Sequence, residues 1–431
     1  MVYEGGIFLE AYRKFLWKLL VCSVAFTCFY SYRCIYNAIP DEINLVAGSE
    51  QELNLNLPFS VKGEIEVPSV MASGGREAQI KEKVHVNLAD SCKVVTGDSG
   101  NYQMSCSLLG VFHLKNVDIN VIEETKLMPV GTPIGIYMKT EGVMVIGTGE
   151  VKGMDGMSYE PAYNLVKSGD YIEKINGETV YNKKELVEKV NEAEGEAVLS
   201  LRRDGEHIEV KVKCIKTSGN EQKMGIWVRD NTQGIGTVTY LNENGSFGAL
   251  GHGINDVDTG ELMELDEGTL YKTQVKSVMK GSAGLPGALE GVIYYDEDAR
   301  RGIITENTEC GIFGQANEAL VNETQGEYLP IGLKQEIQKG KAYIRCTING
   351  TTEDYEVEIL DVRLNNAAIN KGIVLKVTDE RLLSLTGGIV QGMSGSPIIQ
   401  NGKIVGAVTH VFVQDSAKGY GIFIENMLGH N

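Results

Sequence analysis

The chain is short of positive charge. Its 431 residues hold 40 Lys and Arg against 58 Asp and Glu, a net charge of −18. A nucleic-acid binder carries a basic patch, so no nucleic-acid partner is expected, and the excess of acid serves solubility. It also lacks any Cys-x-x-Cys pair among its eight cysteines, which removes the usual zinc frameworks. Neither a metal nor a cofactor is expected. Cys92 and Cys106 fall in neighbouring expected strands, where they either bridge or stay as free buried thiols. Histidine is scarce too, with six in all. His85 and His113 stand alone in strand-like contexts and read as structural. Residues 217–431 hold only His252, His410 and His430, so few side chains there can act as a base near neutral pH.

Glycine, in contrast, is abundant: 51 residues, well above the average of about 7%. With many Val and Ile runs, this favours a turn-rich, mainly β protein, and the length allows two to three domains. The first segment, 1–36, reads as a cytoplasmic tip and a transmembrane anchor helix. Arg13, Lys14 and Lys18 lead an apolar run from Phe15 to Tyr32, uncharged from Leu19 onward. That is about long enough for a short span of ~17–20 residues with Lys18 snorkelling. The basic flank favours a cytoplasmic N-terminus and an exported remainder. A cleaved signal peptide is the alternative, but there is no Ala-x-Ala site, and Tyr30, Tyr32 and Tyr36 suggest an interfacial belt. Residues 37–125 alternate apolar and polar positions at Leu53–Leu57, Val84–Leu88 and Val117–Ile122, which predicts half-buried strands in a small β-rich spacer domain.

Residues 126–216 carry a more specific pattern. Pro161-Ala162 is followed by Gly169-Asp170-Tyr171-Ile172 and Ile175-Asn176-Gly177, then by a helix from Lys183 to Ala193 and two strands, Ala197–Arg202 and Glu206–Val212. This order resembles a PDZ domain. The resemblance implies a peptide C-terminus adding as a strand, its carboxylate held by backbone N–H groups of a glycine-containing loop. Pro133, Ile134, Gly135 and Ile136 are the expected loop, and Leu186 and Val190 the expected groove lining, with Val187 in the core.

Residues 217–431 carry the chemistry. Strand Gly234–Leu241, a turn at Asn242–Gly245 and strand Ser246–Gly251 deliver His252 into a glycine-flanked turn. Further on, Gly387-Gly388-Ile389-Val390-Gln391-Gly392-Met393-Ser394-Gly395-Ser396-Pro397 sets a serine between glycines. Such a turn exposes a hydroxyl and lets consecutive N–H groups converge on a developing oxyanion. The pattern resembles the nucleophile turn of chymotrypsin-like serine peptidases. In that reading Ser394 is the nucleophile, His252 the base, and the N–H groups of Gly392 and Ser394 the oxyanion donors. Asp379, fifteen residues before Ser394, and Asp296 or Asp298, 44 and 46 residues after His252, all compete to orient the imidazole. Asp256 and Asp258 lie too near His252 in sequence. Met393 stands where many such zymogens place Asp, so activation by a buried ion pair to a new N-terminus is unavailable. Val408–Val413 is expected to supply one wall of the specificity pocket.

Anchor, β spacer, PDZ and peptidase domain (217–431), together with Gly248-Ala249-Leu250-Gly251-His252-Gly253 and the 387–397 turn, resemble the SpoIVB family of sporulation serine peptidases. The resemblance selects Asp379 as the third member of a triad with His252 and Ser394. It implies a chymotrypsin-like double β-barrel. It also implies limited proteolysis, in the space between the membranes around the forespore, of a membrane-bound regulator of an intramembrane metalloprotease that processes a late sigma factor. Self-cleavage near the N-terminus, expected around Tyr36–Leu57, and restraint by the PDZ domain follow from the same resemblance. Two other readings remain at this stage: a non-catalytic PDZ adaptor, and a general envelope quality-control protease.

Overall fold

The computed structural model describes residues 4–53, 55, 57, 61–73, 76–88, 92–95, 99–324, 326–365 and 368–429. Helix α1 spans Glu4–Ala38. Nothing interrupts it: the first proline of the chain is Pro40, and proline ends helices by removing an N–H and clashing with the preceding turn. Its stretch Tyr12–Ala38 has 27 residues with a mean hydropathy of 1.4 and no burial in its most apolar window. At 1.5 Å per residue this is about 40 Å, more than the ~30 Å hydrocarbon core. The helix is thus long and apolar enough to cross a membrane.

Two compact units make up the chain. One takes residues 1–125 with 333–337 and 363–367, the other 126–332, 338–362 and 368–431. The first unit is a five-stranded sheet of β1 (Glu42–Val46), β2 (Val61–Ser73), β3 (Arg76–Asn87), β4 (Gly100–Leu108) and β5 (Phe112–Ile122), in the order β1-β5-β4-β2-β3. The alternation in β5 puts Val117, Ile119 and Val121 inside while Asn116 and Asp118 stay out. They pack with Ile43, Leu45, Met104 and Cys106, and with Ile35 and Ile39 from the end of α1 and just beyond it. Tyr36, expected at a membrane interface, instead lies under the Lys115 ammonium, 5.0 Å from its ring centre. Cys106 is a free, buried thiol, pushed up to about 11 by burial, so it forms no bridge. His85 and His113 are exposed; they contact Glu64 and Ser105.

In the second unit a short strand, Lys126–Pro129, precedes the long β6 (Pro133–Thr148). Strands β7 (Tyr171–Ile175), β8 (Glu196–Arg203) and β9 (Glu206–Lys213) extend from the C-terminal half of β6, and helix α2 (Lys183–Glu192) covers them. The Gly169-Asp170 signature has a structural purpose. The Asp170 carboxylate is buried, accepts the Lys167 N–H at 2.8 Å and takes a bidentate grip from Arg203 at 2.6 Å. Asn182 caps α2 by accepting from the Glu185 N–H at 2.9 Å. Leu186 and Val190 face inward among Val143, Ile172 and Leu199, whereas Val187 is 49% exposed. The expectation for these three is therefore reversed: Leu186 and Val190 are core, and Val187 is on the surface.

Strand β10 (Ile226–Leu241) runs antiparallel to β6 over nearly its whole length, from Ile226 opposite Thr148 to Thr237 opposite Pro133. β11 (Ser246–Ala249), β12 (Leu265–Met279), β13 (Arg300–Thr308) and β14 (Gly311–Ala316) follow. The order β6-β12-β13-β14-β11-β10, with β6 also paired to β10, closes a ring of six strands. Ile134, Ile136, Phe247, Leu270 and Ile312 fill it. This corrects the expected carboxylate-binding loop. Pro133, Ile134, Gly135 and Ile136 form a central strand, laddered to β10 on one side and β12 on the other, with Ile134 and Ile136 buried in the barrel. Their backbone groups are committed to these two ladders. Residues 133–140 thus belong to the first barrel, and β6 and β10 run through both the PDZ-like layer and that barrel.

A second closed barrel follows, with β15 (Gly340–Ile348), β16 (Thr351–Val362), β17 (Ile373–Val377), β18 (Pro397–Gln400), β19 (Lys403–Phe412) and β20 (Asp415–Phe423) in the order β15-β16-β17-β20-β19-β18. Helix α3 (Glu380–Thr386) leads from β17 into the serine turn. The described chain is mainly β, with a double β-barrel and an N-terminal apolar helix.

Candidate active site

His252 follows the β10–β11 hairpin, whose register runs from Val238 opposite Ala249 to Leu241 opposite Phe247. The chain then reverses at Leu250 and Gly251, both left-handed at φ 70° and 71°. A Cβ on Gly251 would lie 2.9 Å from the Ile422 side chain and 3.0 Å from that of Thr409, so only glycine lets this turn of the first barrel approach the second so closely. The His252 Nδ1 lies 2.8 Å from the Gly253 carbonyl oxygen. A carbonyl only accepts, so Nδ1 carries the proton and Nε2 is left as the basic nitrogen.

Ser394 sits in the turn between α3 and β18. Gly395, at φ 97°, brings this turn against the first barrel, where a Cβ would run into the Thr237 carbonyl and the Leu250 amide. Thr237 holds the turn from below. Its N–H donates to the Ser394 carbonyl at 3.0 Å and its hydroxyl to the Gly392 carbonyl at 2.7 Å. The Gly395 N–H donates to Val408 and the Met393 N–H to Val390. Those of Gly392 and Ser394 donate to no acceptor among the described residues, which leaves the two alternate amides free to meet an oxyanion. Met393 is fully buried, as a neutral side chain in that place must be.

A cavity of about 400 Å³ brings these pieces together. His252, Gly392 and Ser394 line it, with Ile136 and Ile235 from the first barrel and Ile389, Val390, Thr409, His410 and Val411 from the second. The Ser394 hydroxyl donates to the Thr409 carbonyl at 2.7 Å. The His410 ring lies 4.9 Å from that of His252, tilted by 38°. Burial lowers the pKa of His252, with the Gly253 bond pulling partly back. Burial first, then the neighbouring His252 and Lys371 charges, push His410 down to about 4. Both rings are neutral at pH 7.

Among the described residues, no carboxylate lines the cavity. Asp379 is the N-cap of α3: it accepts from the Arg381 N–H at 2.9 Å and from the Glu356 N–H at 3.3 Å, and its carboxylate pairs with the Arg381 guanidinium at 2.9 Å. That pairing, above all the Arg381 hydrogen bond, holds its pKa down to about 2. Asp296 stands ahead of a short 3-10 turn, Glu297–Ala299, that contains Asp298. Asp256 and Asp258 both pair with Arg229. The structure therefore brings together His252, Gly392 and Ser394 and leaves Asp379, Asp296 and Asp298 elsewhere. His430 lies outside the described residues. Thr237 was not foreseen, and Thr409 only as part of the Val408–Val413 wall, not as the acceptor of the Ser394 hydroxyl. Thr409 acts through its backbone carbonyl, which leaves no mark in a sequence, and Thr237 through its N–H and its hydroxyl together. His410 had registered as a rival to His252 and as part of the expected Val408–Val413 wall, and it lines the cavity.

Residues 220–428 match the family model described as SpoIVB peptidase S55. A similar solved structure is the active form of the Rv3671c protease from M. tuberculosis, 12% identical, covering 46% of this chain and 74% of that one with a TM-score of 0.28. No curated protein matches the chain.

Proposed function

We propose that this serine peptidase, whose residues 220–428 match the SpoIVB peptidase S55 family model, is a membrane-anchored endopeptidase of sporulation signalling. Its substrate is a membrane-bound regulator of an intramembrane metalloprotease, and it also cuts its own N-terminal region. The observation that carries the peptidase reading is the convergence of His252, Ser394 and two unpartnered amides on one cavity from two β-barrels.

Ser394 Oγ turns from the Thr409 carbonyl toward His252 Nε2, gives up its proton there and attacks the scissile carbonyl. The oxyanion moves onto the N–H groups of Gly392 and Ser394. The His252 imidazolium, held through Nδ1 by the Gly253 carbonyl, returns the proton to the leaving amine. With its serine side chain gone, the Thr409 carbonyl is free to accept an N–H of an extended substrate. Water then resolves the acyl-enzyme by the same steps in reverse order. Helix α1 holds the enzyme at the membrane, where a membrane-bound substrate is confined, and the exported side is the space around the forespore. The PDZ-like layer is the proposed receptor for peptide C-termini.

A fluorophosphonate probe tests the chemistry on the full chain in detergent micelles. Labelling is expected in the wild type, absent in Ser394→Ala, and slowed at least a hundredfold in His252→Ala. An unlabelled wild type would leave a PDZ adaptor on an inert barrel. That reading draws on the Ser394 hydroxyl being bound to Thr409 rather than to His252. Co-expression with a membrane-bound regulator tests the biology: processing must vanish in Ser394→Ala, and broad digestion of unfolded proteins instead would favour a quality-control role.

A further inference from the structure

The serine turn is fastened by a hairpin that the mechanism above does not use. β12 returns through residues 280–287 into the strand Ala288–Ile293, with Met279 opposite Ala288 and Val278 opposite Leu289. The tip of this hairpin lies on the residues that lead to Ser394. The Gln391 N–H donates to the Gly287 carbonyl at 2.8 Å, and the Leu289 N–H donates to the Gln391 carbonyl at 2.8 Å, a parallel bridge between Ala288 and Gln391. The Gly281 N–H reaches the Thr386 carbonyl at 2.9 Å, and the Gly284 N–H the Val413 carbonyl at 2.8 Å. In a trans peptide the C=O and the N–H point opposite ways. The Gln391 carbonyl faces Leu289, so the Gly392 N–H, in the same peptide plane, points away from the hairpin. That N–H is one of the two amides left without an acceptor, and Gly392 lines the cavity. Met393, neutral and buried, offers no ion pair to hold the turn instead.

We propose that this hairpin is the lock of the oxyanion turn and that Leu289 is a positioning residue, whose N–H fixes the Gln391–Gly392 peptide so that the Gly392 N–H is presented to the substrate. The proposal rests on the reading of Ser394 and His252 as nucleophile and base. Ser282 to Leu285 are exposed, whereas Gly287 and Leu289 are buried. The tip is thus held mainly by the backbone bonds above, over few buried side chains, and segments of that kind open without unfolding the rest. Once the Leu289 bond is broken, the Gln391–Gly392 peptide is free to turn over, since Gly392 has no side chain and sits at φ 96°. One oxyanion donor is then lost, which costs about 10²–10³ in rate.

The test measures fluorophosphonate labelling of the full chain in detergent micelles against probe concentration, which separates the limiting rate from the half-saturating concentration. Leu289→Pro removes the N–H that holds Gln391 and spares the ladder to β12, toward which that N–H does not point. Its limiting rate is expected to fall by about 10²–10³ at an unchanged half-saturating concentration. Leu289→Met keeps the N–H and nearly the same volume, and is expected to label within about threefold of wild type. A role in packing alone lowers the melting point and leaves the limiting rate of the folded enzyme where it was. A folded Leu289→Pro with the wild-type limiting rate would overturn the lock and leave the peptidase intact, and so would a Leu289→Met as slow as the proline variant. No labelling of the wild type overturns the peptidase reading itself. Should the proline variant unfold, as thermal melting would show, Gly287→Ala decides. Its methyl would stand 2.3 Å from the Met279 carbonyl and 2.7 Å from the Val390 side chain, so the tip has to shift. A large fall in its limiting rate supports the lock, and the wild-type rate refutes it.

Discussion

Asp379 has two incompatible explanations, and one substitution separates them. In the structure its Oδ1 accepts from the Arg381 N–H at 2.9 Å and from the Arg381 Nε at 3.1 Å, while Oδ2 accepts from Arg381 Nη2 at 2.9 Å and the Glu356 N–H at 3.3 Å. Asn is as good an N-cap as Asp, so Asp379→Asn keeps the helix start and loses the ion pair with Arg381, whose side chain is 58% exposed, together with the long 3.3 Å bond from the Glu356 N–H. Pairs of that kind are worth ~0.2–1 kcal/mol. Asp379→Ala also loses the cap, a further ~0.5–2 kcal/mol. In a unit of this size each kcal/mol moves the melting point by about 2–4 °C. The structural role therefore predicts a small drop for Asn, several degrees for Ala, and fluorophosphonate labelling of Asp379→Asn within about twofold of wild type. A residue that orients the catalytic imidazole behaves otherwise: in serine triads the change to Asn leaves the fold intact and lowers kcat by about 10⁴. Melting and labelling are measured on the same sample. A labelling rate lower by hundreds of fold at an unchanged melting point would refute the cap reading and return Asp379 to His252.

Three further outcomes follow from the site. Thr237→Val keeps the shape but removes the hydroxyl that supports the Gly392 carbonyl at 2.7 Å; a loss of about 1 kcal/mol in stability and slower labelling are expected, and full activity would show that the clamp does not set the oxyanion amides. Met393 is wholly buried, so Met393→Leu should cost less than ~1.5 kcal/mol whereas Met393→Asp strands a carboxylate without a partner and should cost at least ~3 kcal/mol; urea midpoints compare the two, and equal values would refute the burial argument. His410 is held down to about 4 in the folded chain against ~6.5 when unfolded, and His252 is shifted the same way. Between those values the unfolded chain binds more protons, so stability is complete above pH ~6.5 and falls as pH drops toward ~4. Asp379, lowered to about 2, adds a second loss between pH ~4 and ~2 for the same reason. Urea midpoints that stay level from pH 7 to 4.5 would contradict the histidine part.

What the sequence disclosed about the fold was local. The alternation of Val117 to Ile122 marked a half-buried strand because strand side chains alternate faces whatever the partner strand is. The run from Phe15 to Tyr32 marked an apolar helix by length and composition. Gly169-Asp170 and Asn176-Gly177, quoted as part of the PDZ-like order, lie in turns set within a few residues, with Gly169, Asn176 and Gly177 at positive φ. The apolar positions of α2 were legible as a stripe, but not its direction. Leu186 and Val190 face the sheet and Val187 does not, because the inward face is decided by the sheet on which the helix lands.

The misplaced pieces share one physical cause: each depended on contacts distant in sequence. Pro133–Ile136 reads as a loop only while β12, more than a hundred residues later, is left out; once Tyr271 pairs with Gly135, the segment has partners on both sides. The histidine and serine turns were legible because glycines on either side impose their shape locally. The third group was not, since fifteen residues between Asp379 and Ser394 say nothing about which way a carboxylate points. The short-range pattern around it did hold the answer the structure chose: an Asp directly before Glu380-Arg381-Leu382-Leu383 satisfies the orphan N–H groups of a helix start and finds a guanidinium two residues away. A carboxylate already bound to a backbone N–H and an arginine gains little by leaving them for an imidazole across a cleft.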